Sequence, residues 1–325
     1  MLGLERYLRI NKMIDFSVMV LIYNSDEARL KITLDSVLNQ KGVNFELILA
    51  DDASQNNSLE MAEDYLKEQG YNNYKKIEHH ENVGTVRNIY DGLKVAEGKY
   101  IKVIGAGDAL YNNDVLHDVK SVMDKTDSTM CFGKMRGYRE AGDYYEFSNV
   151  ELPYDIKAFK NGDIKKIKKN ILMNHGWIVG ASMFYNTTRF RTLLKELVGR
   201  VKYCEDFLQA ILFIRGERVE FFDSGVVYYE VNSGVSTSPN SGARARMLND
   251  VRALRKLLMK GYPDEVLVRK GDRMFAWQLI ENDRDRKLHI LFGNMSYVMM
   301  LIRSKLQTKE YFISEEGLLE QKLKV

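Results

Sequence analysis

The sequence predicts an α/β fold: a mixed, mostly parallel sheet flanked by helices, with a helical C-terminal extension. Three observations predict it. FSVMVLIY (16–23), FELILA (45–50) and KYIKVIG (99–105) are near-continuous apolar runs, the mark of strands buried on both faces. Segments with helical spacing lie between them. The polar clusters YNSDE, DDASQN and GAGDAL fall where those strands end, which is where ligands sit in such sheets.

Each element follows from local pattern. ARLKITLDSVLNQ (28–40) places Leu30, Leu34, Val37 and Leu38 at helical spacing. SLEMAEDYLKEQG (58–70) reads as a helix with Ser58 as N-cap and Gly70 as stop. KKIEHHE (75–81) predicts a short third strand, and TVRNIYDGLKVAEG (85–98) a helix closed by Gly98. A helix is expected over 112–124. Beyond residue 125 the pattern changes. MCFGKMRGYRE and YYEFSN read as an antiparallel pair, NGDIKKIKKNIL (161–172) as a helix with a lysine face, and GWIVGASMFYN (176–186) as a strand. RFRTLLKELV and EDFLQAILFIRG (205–216) are helices, and ERVEFFDSGVVYYEV (217–231) supplies one or two strands. From about 241 the chain is helical and basic, broken at GYPDE (261–265).

The totals exclude several classes. At 325 residues the chain can bury a sizeable core, and a net charge of +3 is too small to argue for nucleic acid. That balance hides an asymmetry: residues 243–325 hold 17 Lys and Arg against 11 Asp and Glu. Cys131 and Cys204 show no metal-binding spacing and suit a reducing compartment. MLGLERYLRINKM is charged throughout, unlike a signal peptide. LHILFGNMSYVMMLI (288–302) is too short and too polar to span a bilayer, which needs about 20 apolar residues.

Two adjacent carboxylates, Asp51 and Asp52, stand where a buried strand runs out. Either they form an Asx-turn that caps the next helix, or the strand delivers them to a ligand carrying donors or cations. Arg87 and Asn88 sit in the first turn of a helix, where N–H groups favour anions. Glu205 and Asp206 open another helix, a place the helix dipole rewards with or without a catalytic role.

Taken in order, residues 16–112 run apolar strand–YN, helix with LDSVLNQ, strand–DDAS, ENVGTVRN, then AEGKYIKVIGAGD, and YCEDFLQAIL (203–212) follows later. This order resembles the inverting glycosyltransferases of family two, over roughly 16–232. The resemblance implies a GT-A (Rossmann-like) fold, a UDP- or other nucleotide-sugar donor, and a glycan or lipid-linked acceptor. It implies a catalytic domain over 1–240, with a nucleotide-binding half (14–125) and an acceptor half (126–240), followed by a basic helical region (241–325). Two departures stand out. The family usually has Pro-Thr before Tyr-Asn, and this chain has Leu21-Ile22. Its metal motif is usually Asp-x-Asp-Asp, and here it reads Gly105-Ala106-Gly107-Asp108.

The resemblance also implies roles. Asp52 accepts from the N–H of a uracil-like base, Asp51 fixes the turn or joins the nucleotide site, Tyr23 lies over the base, and Asn24 fixes the loop. Arg87 and Asn88 contact the nucleotide. Asp108 holds the ribose or a Mg²⁺ or Mn²⁺ ion on the diphosphate; one carboxylate is a sufficient but weak protein ligand. Its bland alternative is the N-cap of the helix at 112–124. Asp206 is the general base, with Glu205 in support. His175 and Trp177 fall on the acceptor side: Trp177 stacks on a sugar or belongs to the core, and His175 touches phosphate or is structural. Lys165, Lys166, Lys168, Lys169 and the basic tail are solvated faces, contact an anionic inner leaflet, or pack on a second copy of the chain. The expected setting is cytoplasmic surface-polysaccharide assembly, peripheral to the membrane. A catalytically weakened binding subunit is the competing reading, motivated by the GAGD departure.

Overall fold

The computed structural model describes residues 13–141, 144–231, 242–280 and 282–322. The charged N-terminal stretch and the domain boundary expected at 240 lie outside them, apart from Met13. The chain begins with β1 (Phe16–Ile22), α1 (Glu27–Leu38), β2 (Phe45–Asp51), α2 (Ser58–Glu68), β3 (Tyr74–Glu78), α3 (Thr85–Leu93) and β4 (Tyr100–Gly105). β1 lies between β2 and β4, parallel to both, and β2 pairs in parallel with β3. Their registers bring Ile22 beside Asp51 and Leu21 beside Gly105, so the three polar clusters meet at one edge of the sheet.

The even apolar content of β1 has a direct physical reason. Met19 joins a core with Ile48, Ile89 and Leu93, while Phe16, Val18, Val20 and Ile22 join another with Leu30, Leu34 and Leu47. Helices cover both faces, so both alternate sets are apolar except Ser17, whose buried hydroxyl donates to Glu46 at 2.6 Å.

The second half adds β5 (Ala109–Leu110), α4 (Val115–Thr126), β6 (Met130–Ala141), β7 (Tyr144–Asn149), α5 (Ile156–Lys160) and α6 (Ile164–Asn174). Then come β8 (Met183–Asn186), α7 (Thr187–Leu194), α8 (Leu208–Arg215) and β9 (Val219–Glu230). The sheet runs β3-β2-β1-β4-β8-β6-β9-β5, with β7 paired to β6. β8 is antiparallel to both β4 and β6, and β6 and β9 are parallel, so the sheet is mixed as expected.

Three local expectations change. Ser58 is the first residue of α2, not its cap; its hydroxyl donates to the Ser25 carbonyl at 2.9 Å. Only Met183–Asn186 of the run 176–186 is strand, because residues 180–182 turn in a short 3-10 segment at the cleft. Two of the four clustered lysines are ion-paired, Lys166 to Asp155 at 2.8 Å and Lys168 to Glu265 at 2.9 Å, so that face is partly internal.

The C-terminal helices are α9 (Gly242–Gly261), α10 (Val266–Gln278), α11 (Asp283–Gly293), α12 (Met295–Leu306) and α13 (Leu318–Lys322). They are not a separate body. Val251, Leu254, Leu258, Val268 and Phe275 belong to the same buried cluster as Leu193 of α7 and Phe213 of α8. Farther on, the Glu320 carboxylate accepts from Tyr228 at 2.9 Å and pairs with Arg136 at 3.0 Å, fastening the end of the chain to β9 and β6.

Candidate active site

A cleft of about 650 Å³ opens where β1, β2 and β4 end. Tyr23, Asn24, Asp52, Asn88, Asp108, Trp177, Glu205 and Asp206 all line it. The early acidic turn and the later acid pair, more than 150 residues apart in sequence, therefore share one cavity.

The donor-side turn is built from its own polar groups. Asn24 adopts a left-handed conformation (φ 50°); its N–H donates to Ser54 Oγ at 2.9 Å, and its side-chain oxygen accepts from the Gln55 N–H at 2.7 Å. Asn24 fixes the loop. Asp51 does not reach the cleft. Its carboxylate accepts from the Ser54 N–H at 2.9 Å and the Ser54 hydroxyl at 2.5 Å, the geometry of the turn role rather than of the nucleotide role. Asp52 spans to the next element, accepting from the N–H groups of Val83 (2.7 Å) and Gly84 (3.0 Å). Each carboxylate oxygen can accept a second bond, so Asp52 keeps capacity toward the cleft. Asn88 donates to the Ala50 carbonyl at 3.0 Å and holds the end of β2.

Arg87 and His175 are the other expected site residues that the fold keeps away. Arg87 pairs with Asp91 at 2.6 Å on an exposed turn of α3, the ordinary i,i+4 partner on a helix surface. His175 ends α6 in a left-handed conformation (φ 54°), packed edge-on to Trp177, with Nε2 3.4 Å from the Arg255 guanidinium. Desolvation, reinforced by that neighbouring cation, pulls its pKa down to about 3, which favours the neutral imidazole at this half-buried position.

Asp108 is held from three sides. Its Oδ1 accepts from the Glu230 N–H at 2.9 Å, and Thr33 Oγ1 donates to its carbonyl at 2.7 Å. Tyr138 hydrogen-bonds the Gly107 carbonyl. Gly107 has φ 108° and a Cβ there would collide with the Glu230 carboxylate, so glycine is required. The N-cap of α4 is Asp114, which removes capping as the reason for Asp108. Burial pushes Asp108 up to about 7, against the opposing pull of the Glu230 N–H and Lys102.

Lys102 of β4 is fully buried behind this wall, donating to the Ala181 and Met183 carbonyls and lying 4.6 Å from the Phe184 ring centroid. Burial draws it down to about 7, while Asp108 and Glu205 act to keep it charged. Glu205 and Asp206 form a short 3-10 turn ahead of α8. Burial raises both carboxyl groups above their ordinary range, and their mutual repulsion raises Glu205 further. Asp206 is opposed by hydrogen bonds from its own N–H and those of Phe207 and Gly180. A carboxylate pushed up toward neutrality but still held by N–H donors is suited to accept a proton.

Among the described residues no three His, Cys, Asp or Glu side chains come together, so a divalent ion on the diphosphate would have Asp108 as its protein ligand, with phosphate oxygens and water completing its shell. No step below is routed through a metal.

Four lining residues have no signal in the sequence pattern: Arg29 of α1, Tyr203, Glu230 and Arg246 of α9. Arg29 pairs with Glu230 at 2.9 Å, and the Arg246 guanidinium lies 5.9 Å from the Tyr203 ring centroid. They come from four separate segments, so only the fold reveals them.

Residues 17–189, more than half of the chain, match the description Glycosyl transferase family 2. The chain belongs to that family. This glycosyltransferase is similar to a Bacillus subtilis protein named "Putative glycosyltransferase EpsH", with 32% identity over 67% of each chain. It is also similar to GlyG of Streptococcus pneumoniae, a glycosyltransferase, with 23% identity over 67% of this chain and 71% of that one. Among solved structures, S. aureus TarS 1–349 in complex with UDP-GlcNAc superposes with a TM-score of 0.57 at 18% identity, over 90% of this chain and 79% of that one. The match establishes the GT-A fold. Full-length TarS, a poly(ribitol-phosphate) β-N-acetylglucosaminyltransferase, is longer: this chain spans 45% of it, at 22% identity.

Proposed function

We propose that this family 2 enzyme moves a sugar from a nucleoside-diphosphate donor, a UDP-sugar, to a hydroxyl of a glycan or lipid-linked acceptor, with inversion. The observation that carries the reading is the convergence of Asp52, Asp108 and Asp206 on one cleft. In this mechanism the acceptor hydroxyl gives its proton to Asp206 as its oxygen attacks the anomeric carbon. The bond to the diphosphate breaks on the opposite face, and its electron pair leaves with the diphosphate. Glu205 supports the base. Tyr23, half exposed at the mouth, covers the nucleobase, Asp52 accepts from the base N–H, and Asp108 faces the ribose. Trp177 offers a ring to the acceptor sugar. The guanidiniums of Arg29 and Arg246, which line the cleft, meet the diphosphate charge. The labour divides accordingly: 14–125 binds the nucleotide, 126–240 presents the acid pair, and 241–325 buttresses it. That UDP-GlcNAc occupies the TarS structure favours the uridine donor.

The test is a thermal-shift series with UDP, GDP and dTDP, beside donor turnover by wild type and Asp206→Asn. UDP at 100 times its Kd stabilises the fold by about 2.7 kcal/mol, a shift the other two do not match. No shift with any of them, or full turnover by the variant, overturns the reading.

The cellular setting we propose is cytoplasmic surface-polysaccharide assembly on the inner leaflet. Among the described residues no helix is long and apolar enough to cross a membrane. A row of exposed apolar residues on α11 and α12 (Leu288, Leu291, Met295, Met299, Ile302 and Leu306) recurs every three or four positions, with exposed Phe292 beside it. Exposed Arg284, Lys287, Arg303 and Lys309 accompany it. Basic residues near an anionic leaflet contribute about 1 kcal/mol each. Co-sedimentation with phosphatidylserine vesicles but not phosphatidylcholine vesicles is expected, lost in Phe292→Asp. A dimer in solution without vesicle binding would instead assign the row to a second copy of the chain.

A further inference from the structure

The strand-rich region supplies the acid pair, yet the loop that leads into it is also fastened from the C-terminal helices. Residues 202–204 lead into Glu205-Asp206, and their three successive N–H groups converge on one side chain. Asp250 of α9 accepts from Lys202 N–H at 2.9 Å (Oδ1), Tyr203 N–H at 2.7 Å and Cys204 N–H at 3.0 Å (both Oδ2). The Cys204 thiol is hydrogen-bonded to the same carboxylate. Asp250 is 4% exposed, and it stands on α9, outside the residues 17–189 that match the family.

We propose that Asp250 is a positioning residue for catalysis, which sets the height and tilt of the Glu205-Asp206 turn from the C-terminal helices. A carboxylate accepting three backbone N–H bonds is a rigid anchor, because charge-assisted bonds are about twice as strong as neutral ones. The turn that follows has no slack: Phe207 N–H returns to the Cys204 carbonyl at 3.2 Å, so the acid pair sits directly on the anchored segment.

The same loop also registers the donor side. Val86 N–H donates to the Lys202 carbonyl at 3.1 Å, and Gly84, at φ 85°, leaves that carbonyl room that a Cβ would fill at 2.6 Å. Gly84 is in turn pinned by Asp52. Asp52, Gly84, Lys202 and Asp250 thus form one chain of contacts from the nucleotide turn to α9. Asp250 places the acid pair relative to the donor, and does so without touching either substrate.

Electrostatics gives the inference a second handle. The groups facing Glu205 and Asp206 are each other, Lys102 of β4, Tyr185 of β8, Cys204, and Asp250 and Arg246 of α9. The Asp250 charge acts to raise both members of the pair. Removing that charge lowers their proton affinity, so the acid limb of the rate profile moves to lower pH.

The test uses the full chain and compares Asp250→Asn with Leu254→Ala, a fully buried neighbour one turn along the same helix. This inference rests on Asp206 as base, so Asp206→Asn is assayed beside them. Asp250→Asn is expected to lose at least about tenfold in kcat, keep donor KM within about threefold, and show its acid limb at lower pH. Leu254→Ala is expected to melt earlier with kcat and pH profile unchanged. In wild type, hydrogen exchange at the amides of Lys202, Tyr203 and Cys204 is expected to be as slow as in the core of α8. An inactive Asp206→Asn together with a wild-type Asp250→Asn overturns this inference alone, as do fast-exchanging amides at 202–204. An active Asp206→Asn removes the base assignment and this inference with it.

Discussion

The carboxylates around the cleft fall into two groups that look alike in sequence and differ in circumstance. Asp51 and Asp52, at the end of β2, are met by donors: four N–H or hydroxyl bonds reach them from Ser54, Val83 and Gly84. Asp108, Glu205 and Asp206 line the cleft half-buried, and desolvation drives all three upward past the donors that reach them, three N–H groups in the case of Asp206. Asp51 is given over to the architecture, Asp52 holds it while lining the cleft, and the second group stores a cost. A buried charge that is not fully compensated persists in a fold when it does something besides holding it together. On the mechanism proposed above, the comparison separates acids that shape the cleft from acids held ready for substrate.

Asp206→Asn is the sharpest way to break that distinction, and it carries the largest expected effect. Loss of a general base costs about 10²–10⁴ in rate, so kcat for transfer is expected to fall by roughly three orders of magnitude. Stability should move the other way. A carboxyl whose pKa is raised by folding contributes stability that is full below its ordinary pKa and lost as pH rises through the raised value. At pH 8 the ionised pair therefore costs stability, and Asp206→Asn removes part of that cost. Its Tm is expected above wild type by on the order of 1–3 °C at pH 8, with the difference closing near pH 4.5. A variant that is both inactive and less stable at pH 8 would place Asp206 with the architectural group.

The opposite behaviour is expected of Asp51→Ala. It leaves the Ser54 N–H and hydroxyl without their partner in a half-buried turn, at about 1–3 kcal/mol. Chemical denaturation should show that loss, while kcat of the folded enzyme stays within about threefold of wild type. A larger loss in kcat than in stability would move Asp51 across the divide.

Much of this was legible in sequence, for identifiable reasons. β1, β2 and β4 could be read because burial on both faces leaves a continuous apolar run. The positions of Asp52 and Asp108 could be read because strand ends are where such sheets put ligands, whereas Glu205 and Asp206 stood out only through the family resemblance. What could not be read is where each polar group spends its hydrogen bonds. DDAS shows two carboxylates but not that Ser54 takes one of them. KKIKKN shows four lysines but not that Asp155 and Glu265 wait for two of them. Asp250 and Arg246 left no trace, because a helix surface pattern says nothing about which distant loop the helix will lie against. Sequence spacing reports local geometry, and contacts such as Lys168–Glu265 and Lys202–Asp250 are set by packing between segments tens of residues apart.

Arg87 is the mildest case and tests the comparison from the cationic side. The family resemblance sends it to the nucleotide, whereas its guanidinium is half exposed and engaged with Asp91 one turn along α3. Asp91 does not depend on it alone: Lys94 pairs with the same carboxylate at 2.5 Å, and together these cations hold Asp91 below the usual carboxylate range despite its partial burial. Removing Arg87 thus leaves Asp91 compensated. An exposed i,i+4 pair contributes about 0.3–0.5 kcal/mol, so Arg87→Ala should barely move the denaturation midpoint. Donor KM should also stay within about twofold, since the side chain does not line the cleft. A tenfold rise in donor KM with unchanged stability would show that α3 or its side chain turns inward when the donor binds. The Arg87 charge would then rank with the acids that react rather than with those that hold the fold.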